Sequence, residues 1–236
     1  MKLDQESLDY ILNVVKTAKL VGIEGIAIEP NLVRGYDLKN NSALILQTVN
    51  VPDMSFGSIG MGRLDIFSAR YEILRTQDKF SIEADIDMDA QCARSLILKA
   101  KGTKIDFRCA KPVAIKGPKQ VNETFKHRVH MNSESALLMQ KAISAMEKPD
   151  VVTLLSNNEG VSFEFLDVNN DKFSHTFMEK VESLTPDATG KFAHRYLVET
   201  LFPLIKHNPD GHFDVGQKGI LAFTVNNLTV YVLPQI

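Results

Sequence analysis

The residues with the clearest potential for chemistry are the glycines of the segment GSIGMGRL at positions 57–64. Their spacing is that of a P-loop, in which backbone N–H groups surround the phosphates of a nucleotide. A P-loop also needs a lysine and a magnesium-binding hydroxyl, but here Arg63 and Leu64 stand at those positions. Because leucine cannot ligate a cation, we expect a flexible turn between a strand and a helix. A nucleotide-handling enzyme that uses Gly57–Gly62 is the alternative.

The acidic and histidine residues do not form a convincing metal site. Asp167 opens a segment that resembles a calcium loop, but Lys172 stands where the sharp turn of that loop needs glycine. Asp85, Asp87 and Asp89 alternate, as expected of a solvated strand face. The six histidines show none of the close spacings typical of zinc ligands. We therefore expect no metal and no cofactor.

Catalytic nucleophiles are equally poorly supported. The two cysteines, Cys92 and Cys109, are too few for a disulfide framework and lack a local base signature. No Gly-x-Ser-x-Gly segment occurs. The sequence thus predicts a protein without catalytic residues. The N-terminal segment 1–6 lacks the apolar core of a signal peptide, and no apolar run is long enough to span a membrane, so we expect an intracellular protein.

The chain divides near its middle into two halves of similar plan. Prolines, a glycine and lysines without regular periodicity predict a connector over 111–125, between domains at 1–110 and 126–236. Each half contains two amphipathic helical patterns and several short strand patterns joined by tight turns. This order favours a duplicated α+β fold with antiparallel sheets. The helices are predicted over 5–19, 63–75, 133–146 and 196–206, with Pro203 expected to kink or shorten the last.

Basic residues lie away from the apolar stripes of three of these helices, and on the second helix only Arg75 lies plainly on the polar side. The formal net charge is nevertheless only −2. A nucleic-acid partner would then require positive charge to be collected on one face, since bulk charge does not provide affinity. We expect basic helices and acidic sheets. The basic residues on or beside these helices, the candidates for contact with such a partner, are Lys16, Lys19, Arg70, Arg75, Lys141, Lys148, Arg195 and Lys206.

Several segments resemble the sliding clamps of DNA replication, of the proliferating cell nuclear antigen type and its shorter phage relatives. The segment IGMGRL at 59–64, followed by EILR at 72–75, is similar to the "AMG" turn and helix of that family. FAHRYL at 192–197 is similar to a run that opens the last helix, and YVLPQI at 231–236 to the family's C-terminal ending. The order and spread of these segments cover nearly the whole chain.

This resemblance implies a ring-shaped homotrimer of two-domain subunits, with helices lining a hole that encircles double-stranded DNA and sheets forming the rim. Such a DNA polymerase processivity factor binds DNA without sequence specificity and has no catalytic activity of its own. Arg75, Lys141 and Arg195 match basic positions of the family's hole, whereas the other candidates rest on helix faces alone. The short chain favours a phage or viral source, which would place it in a bacterial cytoplasm or a nucleus. A clamp-fold protein that forms no ring, or a heteromeric clamp subunit, remains an alternative.

The resemblance also implies a hydrophobic groove for short peptides of partners such as DNA polymerase and the clamp loader. Its expected residues are Ile115, Val121, Pro234, Gln235 and Ile236, although Ile115 and Val121 could instead only attach the connector to the sheet. Ring closure is expected to pair an edge strand over 104–110 with one over 172–179 of the next subunit. The expected interface residues are Lys104, Ile105, Phe107, Phe173, His175 and Phe177.

Overall fold

The computed structural model describes residues 1–54, 56–147, 149–157, 160–177, 181–186, 188 and 191–235, with only the backbone of Asn157 and Phe177. The chain forms two compact units. The first consists of Met1–Lys39 and Leu44–Gln120, and the second of Asn40–Ala43 and Val121–Ile236. The predicted connector therefore contributes its first ten residues to the first unit and the rest to the second.

The first unit contains two helices and two antiparallel sheets. One sheet has the strand order β3-β2-β1-β4 and the other the order β5-β6-β7. Both helices pack against strands of these sheets, α1 on β1 and α2 on β6. The elements are α1 Gln5–Leu20, β1 Gly25–Glu29, β2 Leu32–Tyr36, β3 Ala43–Gln47, β4 Ile59–Gly62, α2 Leu64–Arg75, β5 Ser81–Asp87, β6 Cys92–Ala100 and β7 Thr103–Arg108.

Helix α1 is defined by local sequence signals. The carboxylate of Asp4 accepts a hydrogen bond from the backbone N–H of Ser7 at 2.7 Å, which caps the helix and lowers the pKa of Asp4. Ile11, Val14 and Ala18 recur on one face and are fully buried. The cap and the apolar stripe together fix where the helix begins and which side faces the core.

The glycine-rich segment forms a strand, and the expected flexible turn is wrong. Residues Ile59–Gly62 form β4, which pairs in antiparallel register with β1. A Cβ atom on Gly60 would lie 2.6 Å from the carbonyl oxygen of Ala110, so this glycine permits two backbones to approach closely. Because these residues are paired in a sheet, they do not form a phosphate-binding loop.

The second unit repeats the plan of two helices and two antiparallel sheets. Its sheets have the orders β12-β8-β14-β15-β16 and β11-β10-β9-β13. Buried Tyr196, Phe163 and Phe213 lie in its core. The elements are β8 Phe125–His130, α3 Ser133–Ala145, β9 Val151–Asn157, β10 Gly160–Leu166, β11 Lys172–Phe177, β12 Val181–Ser183, β13 Ala193–Leu197, α4 Val198–His207, β14 His212–Gly216, β15 Leu221–Val225 and β16 Leu228–Val232.

The last helix begins two residues later than the sequence predicts. Tyr196 and Leu197 belong to β13, and Val198 starts α4 while its N–H donates to the carbonyl of Asp150 at 2.9 Å. Pro203 lies inside α4, which continues to His207, so the proline does not end the helix. The carbonyl that Pro203 leaves without an N–H donor belongs to Glu199, an exposed residue in the first turn, where water can satisfy it.

No helix among the described residues is long and apolar enough to cross a membrane.

Candidate functional site

Three of the candidate DNA-binding lysines present an exposed positive charge. Lys16 lies on α1, Lys141 on α3 and Lys206 in the last turn of α4. None of them forms an ion pair with another described residue. These side chains can therefore attract an anionic surface with their full charge.

Two other candidates are already paired with carboxylates. Lys19 Nζ lies 3.0 Å from Asp65 Oδ1, so the end of α1 is joined to the start of α2. Arg75 Nε lies 2.5 Å from Glu72 Oε2 on the same helix, and this hydrogen bond raises the pKa of Arg75. Both pairs are substantially exposed, so they reduce the local field more than they add to stability.

The remaining basic candidates occupy different surroundings. Arg70 of α2 donates to the backbone carbonyl of Asp106 in β7. Arg195 lies on strand β13 and not on a helix face, so its predicted placement is wrong. It lines an open cavity of about 450 Å³, whose lining also includes the acidic residues Asp150, Glu164 and Asp167. Lys148 lies outside the described residues.

The expected contrast between basic helices and acidic sheets is also wrong. Each helix carries as many acidic as basic residues: two of each on α1 and α2, and one of each on α3 and α4. An acidic residue lies in the first turn of every helix, where it stabilises the N-terminal end of the helix dipole. Positive charge is therefore sorted along the helices, toward their C-terminal halves, and is not sorted between helices and sheets.

The connector is held on the first unit by a buried arginine that the sequence analysis did not identify. Arg34 of β2 is only 6% exposed. Its guanidinium donates to the carbonyls of Pro112, at 2.8 Å, and Ile115, and it pairs with Glu29 at 2.9 Å. A charged residue inside the otherwise apolar strand LVRGY is the sequence signal that could have revealed it, since a buried charge needs partners.

A pocket of about 90 Å³ lies beside this attached connector in the first unit. Tyr36, Leu38 and Ile115 provide apolar surface, and Asp37 and Lys116 provide charge at its walls. Leu38 is 60% exposed, an unusual value for a leucine without a partner surface. The structure thus places Ile115, one of the predicted groove residues, in the wall of a small amphipathic pocket.

The other predicted groove residues belong to the second unit. Val121 and Pro234 are partly exposed, and the N–H of Gln235 donates to the carbonyl of Arg195 at 2.7 Å. Ile236 lies outside the described residues.

The two strands predicted to close a ring are both edge strands. β7 ends the sheet β5-β6-β7, and β11 ends the sheet β11-β10-β9-β13. No other described strand pairs with the free side of either one. An exposed strand edge presents unpaired N–H and C=O groups, so each is a ready site for pairing with another chain.

The predicted interface side chains differ in how accessible they are. Lys104 is exposed and pairs with Asp106 at 3.3 Å. Phe107 is fully buried against Phe67, with ring centroids 5.2 Å apart, so its side chain supports the core of the first unit and is not available to a partner. His175 Nε2 lies 3.0 Å from Ser135 Oγ on α3. Ile105 and Phe173 are half-buried, and the side chain of Phe177 lies outside the described part of the chain.

Within the described part of the chain, no three His, Cys, Asp or Glu residues are grouped so that they could hold a metal ion. Burial raises the pKa of the Cys109 thiol to about 12, so it remains protonated and a poor nucleophile.

Comparison with known proteins identifies the fold. The chain is similar over its whole length to proliferating cellular nuclear antigen from Entamoeba histolytica, with a TM-score of 0.64, 13% identity and coverage of 98% of that chain. PCNA from Thermococcus kodakaraensis gives a TM-score of 0.63 at 11% identity, with 100% of this chain and 99% of that chain covered. A. fulgidus PCNA, solved with the C-terminal region of FEN-1 bound, gives 0.61 at 17% identity, with 98% and 96% covered. No family model and no curated protein matches the sequence. The chain therefore has the α+β fold of the DNA sliding clamps.

Proposed function

We propose that this protein is a DNA sliding clamp that works as a processivity factor. In this proposal three copies form a ring around double-stranded DNA, and the ring tethers DNA polymerase and a clamp loader through short peptides. The observation that carries the proposal is the likeness to three PCNA structures over 98–100% of the chain, because both units and their order are included. It would act inside the cell, where DNA is replicated.

The strand edges support closure of a ring between copies. In each unit, one sheet has one edge covered by a chain end: Lys2 pairs with Glu83 of β5, and Gln235 pairs with Arg195 of β13. The opposite edges, β7 and β11, pair with no other strand among the described residues. Pairing of β7 from one copy with β11 from the next would satisfy both edges and generate a closed, head-to-tail assembly.

The exposed lysines support weak, sequence-independent attraction to DNA. Lys16, Lys141 and Lys206 are long and solvated, and long solvated cations contact phosphates without reading bases. The acidic residues that balance each helix limit the strength of this attraction. A ring held mainly by its topology needs only such weak contacts and can slide.

The pocket beside the connector supports peptide binding. Its apolar walls at Tyr36, Leu38 and Ile115 suit a hydrophobic side chain, and the buried Arg34 fixes the connector that forms one wall. The structure solved with A. fulgidus PCNA holds the C-terminal region of FEN-1. We extend to this chain the same kind of occupant, a short segment of a partner protein.

Retention on circular DNA tests the proposal directly. The protein is assembled in the presence of nicked circular duplex and passed through a sizing column at elevated salt. We expect it to co-elute with the circle and to be released once a restriction enzyme linearises the same DNA, because a ring slides off a free end. Equal retention on both forms would mean ordinary surface binding and would refute encirclement.

A further inference from the structure

Two arginines, Arg63 at the N-cap of α2 and Arg70 within α2, donate hydrogen bonds to the edge of β7 that no other described strand pairs with. The carbonyl groups of Asp106 and Arg108 face away from β6, because backbone groups of alternate residues point toward the paired strand and the N–H of the next residue, Cys109, donates to the carbonyl of Arg94 in β6. Arg70 Nη1 lies 3.2 Å from the carbonyl oxygen of Asp106. Arg63 Nη2 lies 3.2 Å from that of Arg108. Two acceptors that an incoming strand would use are therefore already engaged.

The two arginines reach the edge from different backbone positions, the N-cap of α2 and its middle. Arg63 has a left-handed backbone, with φ of 57°, and its guanidinium lies over the ring of Phe107 at 5.5 Å from the centroid. Arg70 is half-buried on the face of α2 between Ile66 and Ile73. The guanidinium groups themselves remain at the surface, so they can leave the carbonyls at low cost.

The other edge of the same sheet is closed in a different way. Backbone groups cover β5: the N–H of Leu3 donates to Ile82 at 2.9 Å, and the N–H of Ala84 donates to Met1 at 2.7 Å. A backbone cover is part of the fold, whereas a side-chain cover is reversible. The sheet thus combines one permanently closed edge with one that is closed only by movable side chains.

We infer that Arg63 and Arg70 guard the β7 edge in the free subunit and are displaced when the edge pairs with a strand of a second copy. This inference rests on the proposed ring, in which β11 is the incoming strand. In the free subunit the arginines satisfy the edge carbonyls and so oppose indiscriminate strand addition. On assembly, backbone N–H groups of the second copy replace the arginines as donors to these carbonyls. The lost arginine hydrogen bonds offset part of the free energy gained from strand pairing.

The test compares self-association of the double variant Arg63→Asn/Arg70→Ala with that of the unaltered protein by sedimentation equilibrium. Asparagine tolerates the left-handed backbone at position 63, and alanine preserves the helix at position 70. We expect about three- to tenfold tighter association, since two exposed hydrogen bonds no longer compete. The matched control is Arg94→Gln, which removes an exposed arginine of the same sheet whose guanidinium pairs with Asp85 of β5, on the side of β6 away from β7. Its association should equal that of the unaltered protein.

The outcomes separate this inference from the proposed function. If the unaltered protein assembles but the double variant assembles equally or more weakly, the inferred role of Arg63 and Arg70 is refuted. The proposed ring is not affected by that result. If the unaltered protein stays monomeric at every concentration, the ring is refuted. In that case the inferred role of Arg63 and Arg70 still predicts that the double variant self-associates more than the unaltered protein, as measured by light scattering. No increase would refute that role.

Discussion

Arg34 and Pro112, 78 residues apart in sequence, are joined by a buried hydrogen bond of 2.8 Å between the guanidinium Nη2 and the backbone carbonyl. The same guanidinium bonds the carbonyl of Ile115 and pairs with Glu29. The buried charge of Arg34 is therefore paired, and the same side chain fixes the path of the connector. The pocket proposed to receive partner peptides depends on that path, because Ile115 forms part of its wall.

Replacing Arg34 by Met should lower the free energy of unfolding of the first unit by about 2–4 kcal/mol, because Glu29 and two carbonyls lose a buried partner. Urea denaturation measures this effect. Arg94→Gln, which breaks an exposed ion pair with Asp85, should change the value by no more than about 0.5 kcal/mol. Similar effects of the two substitutions would contradict the assigned role of Arg34.

Two neighbouring glycines of β4 should respond very differently to alanine. At Gly60 a Cβ atom would meet the Ala110 carbonyl oxygen at 2.6 Å, whereas at Gly62 it would meet nothing within 4 Å. We expect Gly60→Ala to cost about 1–3 kcal/mol of stability and Gly62→Ala to cost less than about 1 kcal/mol. Thermal denaturation compares them. Equal costs would mean that the close approach of β4 to Ala110 is unimportant.

Charge reversal at exposed helix lysines should weaken retention on DNA without changing the mass of the assembly in solution. We expect Lys16→Glu/Lys141→Glu to reduce the slope of log affinity against log salt by about 0.9 for each phosphate that the helices no longer neutralise. The control, Lys101→Glu/Lys218→Glu, reverses the same number of charges on hairpin turns. If retention falls equally in the two double variants, the helices are not the DNA-facing surface.

Stability should fall as the pH decreases below about 6.5. Burial lowers the pKa of His127 and of His194 from the ordinary value of 6.5, although Glu123 partly opposes the shift at His194. As the pH falls through 6.5 the unfolded histidines bind protons while the folded ones stay neutral, so the unfolded state is favoured until the pH also passes the folded pKa values.

Urea denaturation at pH 7 and pH 5.5 measures this loss of stability. His127→Gln/His194→Gln should show a smaller loss between the two pH values than the unaltered protein. His207→Gln, at an exposed position, is the matched substitution. An unchanged loss in the double variant would exclude these two histidines as its source.

Much of the fold was accessible from the sequence because its signals are local. The amphipathic pattern predicts a helix over 5–19, within one residue of the observed α1, Gln5–Leu20. The edge strands predicted over 104–110 and 172–179 correspond to β7, Thr103–Arg108, and β11, Lys172–Phe177. The duplicated plan of helices and antiparallel strands was likewise predicted, and the fold confirms it.

The errors arose where distant contacts decide the outcome. Gly60 lies in a strand whose backbone closely approaches that of Ala110, fifty residues later in the sequence. Because glycine has a low strand propensity, the local sequence does not indicate this strand. Leu197 continues the apolar period of Leu201 and Leu204, so periodicity alone cannot reveal that the helix starts at Val198. The charge balance of the helices was readable from the sequence, but only by counting acidic and basic residues together.

The candidate site was predictable only in part for the same reason. Ile115 could be selected as an apolar residue in a polar connector, but its anchor Arg34 is set by tertiary contacts. Ion pairs such as Lys19–Asp65 depend on how two helices pack, which the sequence does not show. These pairs determine which lysines have no carboxylate beside them.

The molecular mass of the assembly in solution tests the central claim most directly. Multi-angle light scattering over a range of micromolar concentrations should approach three times the chain mass of 26.4 kDa as the concentration rises. A mass that stays at 26.4 kDa throughout that range would contradict the ring, and with it the proposal that this clamp fold encircles DNA.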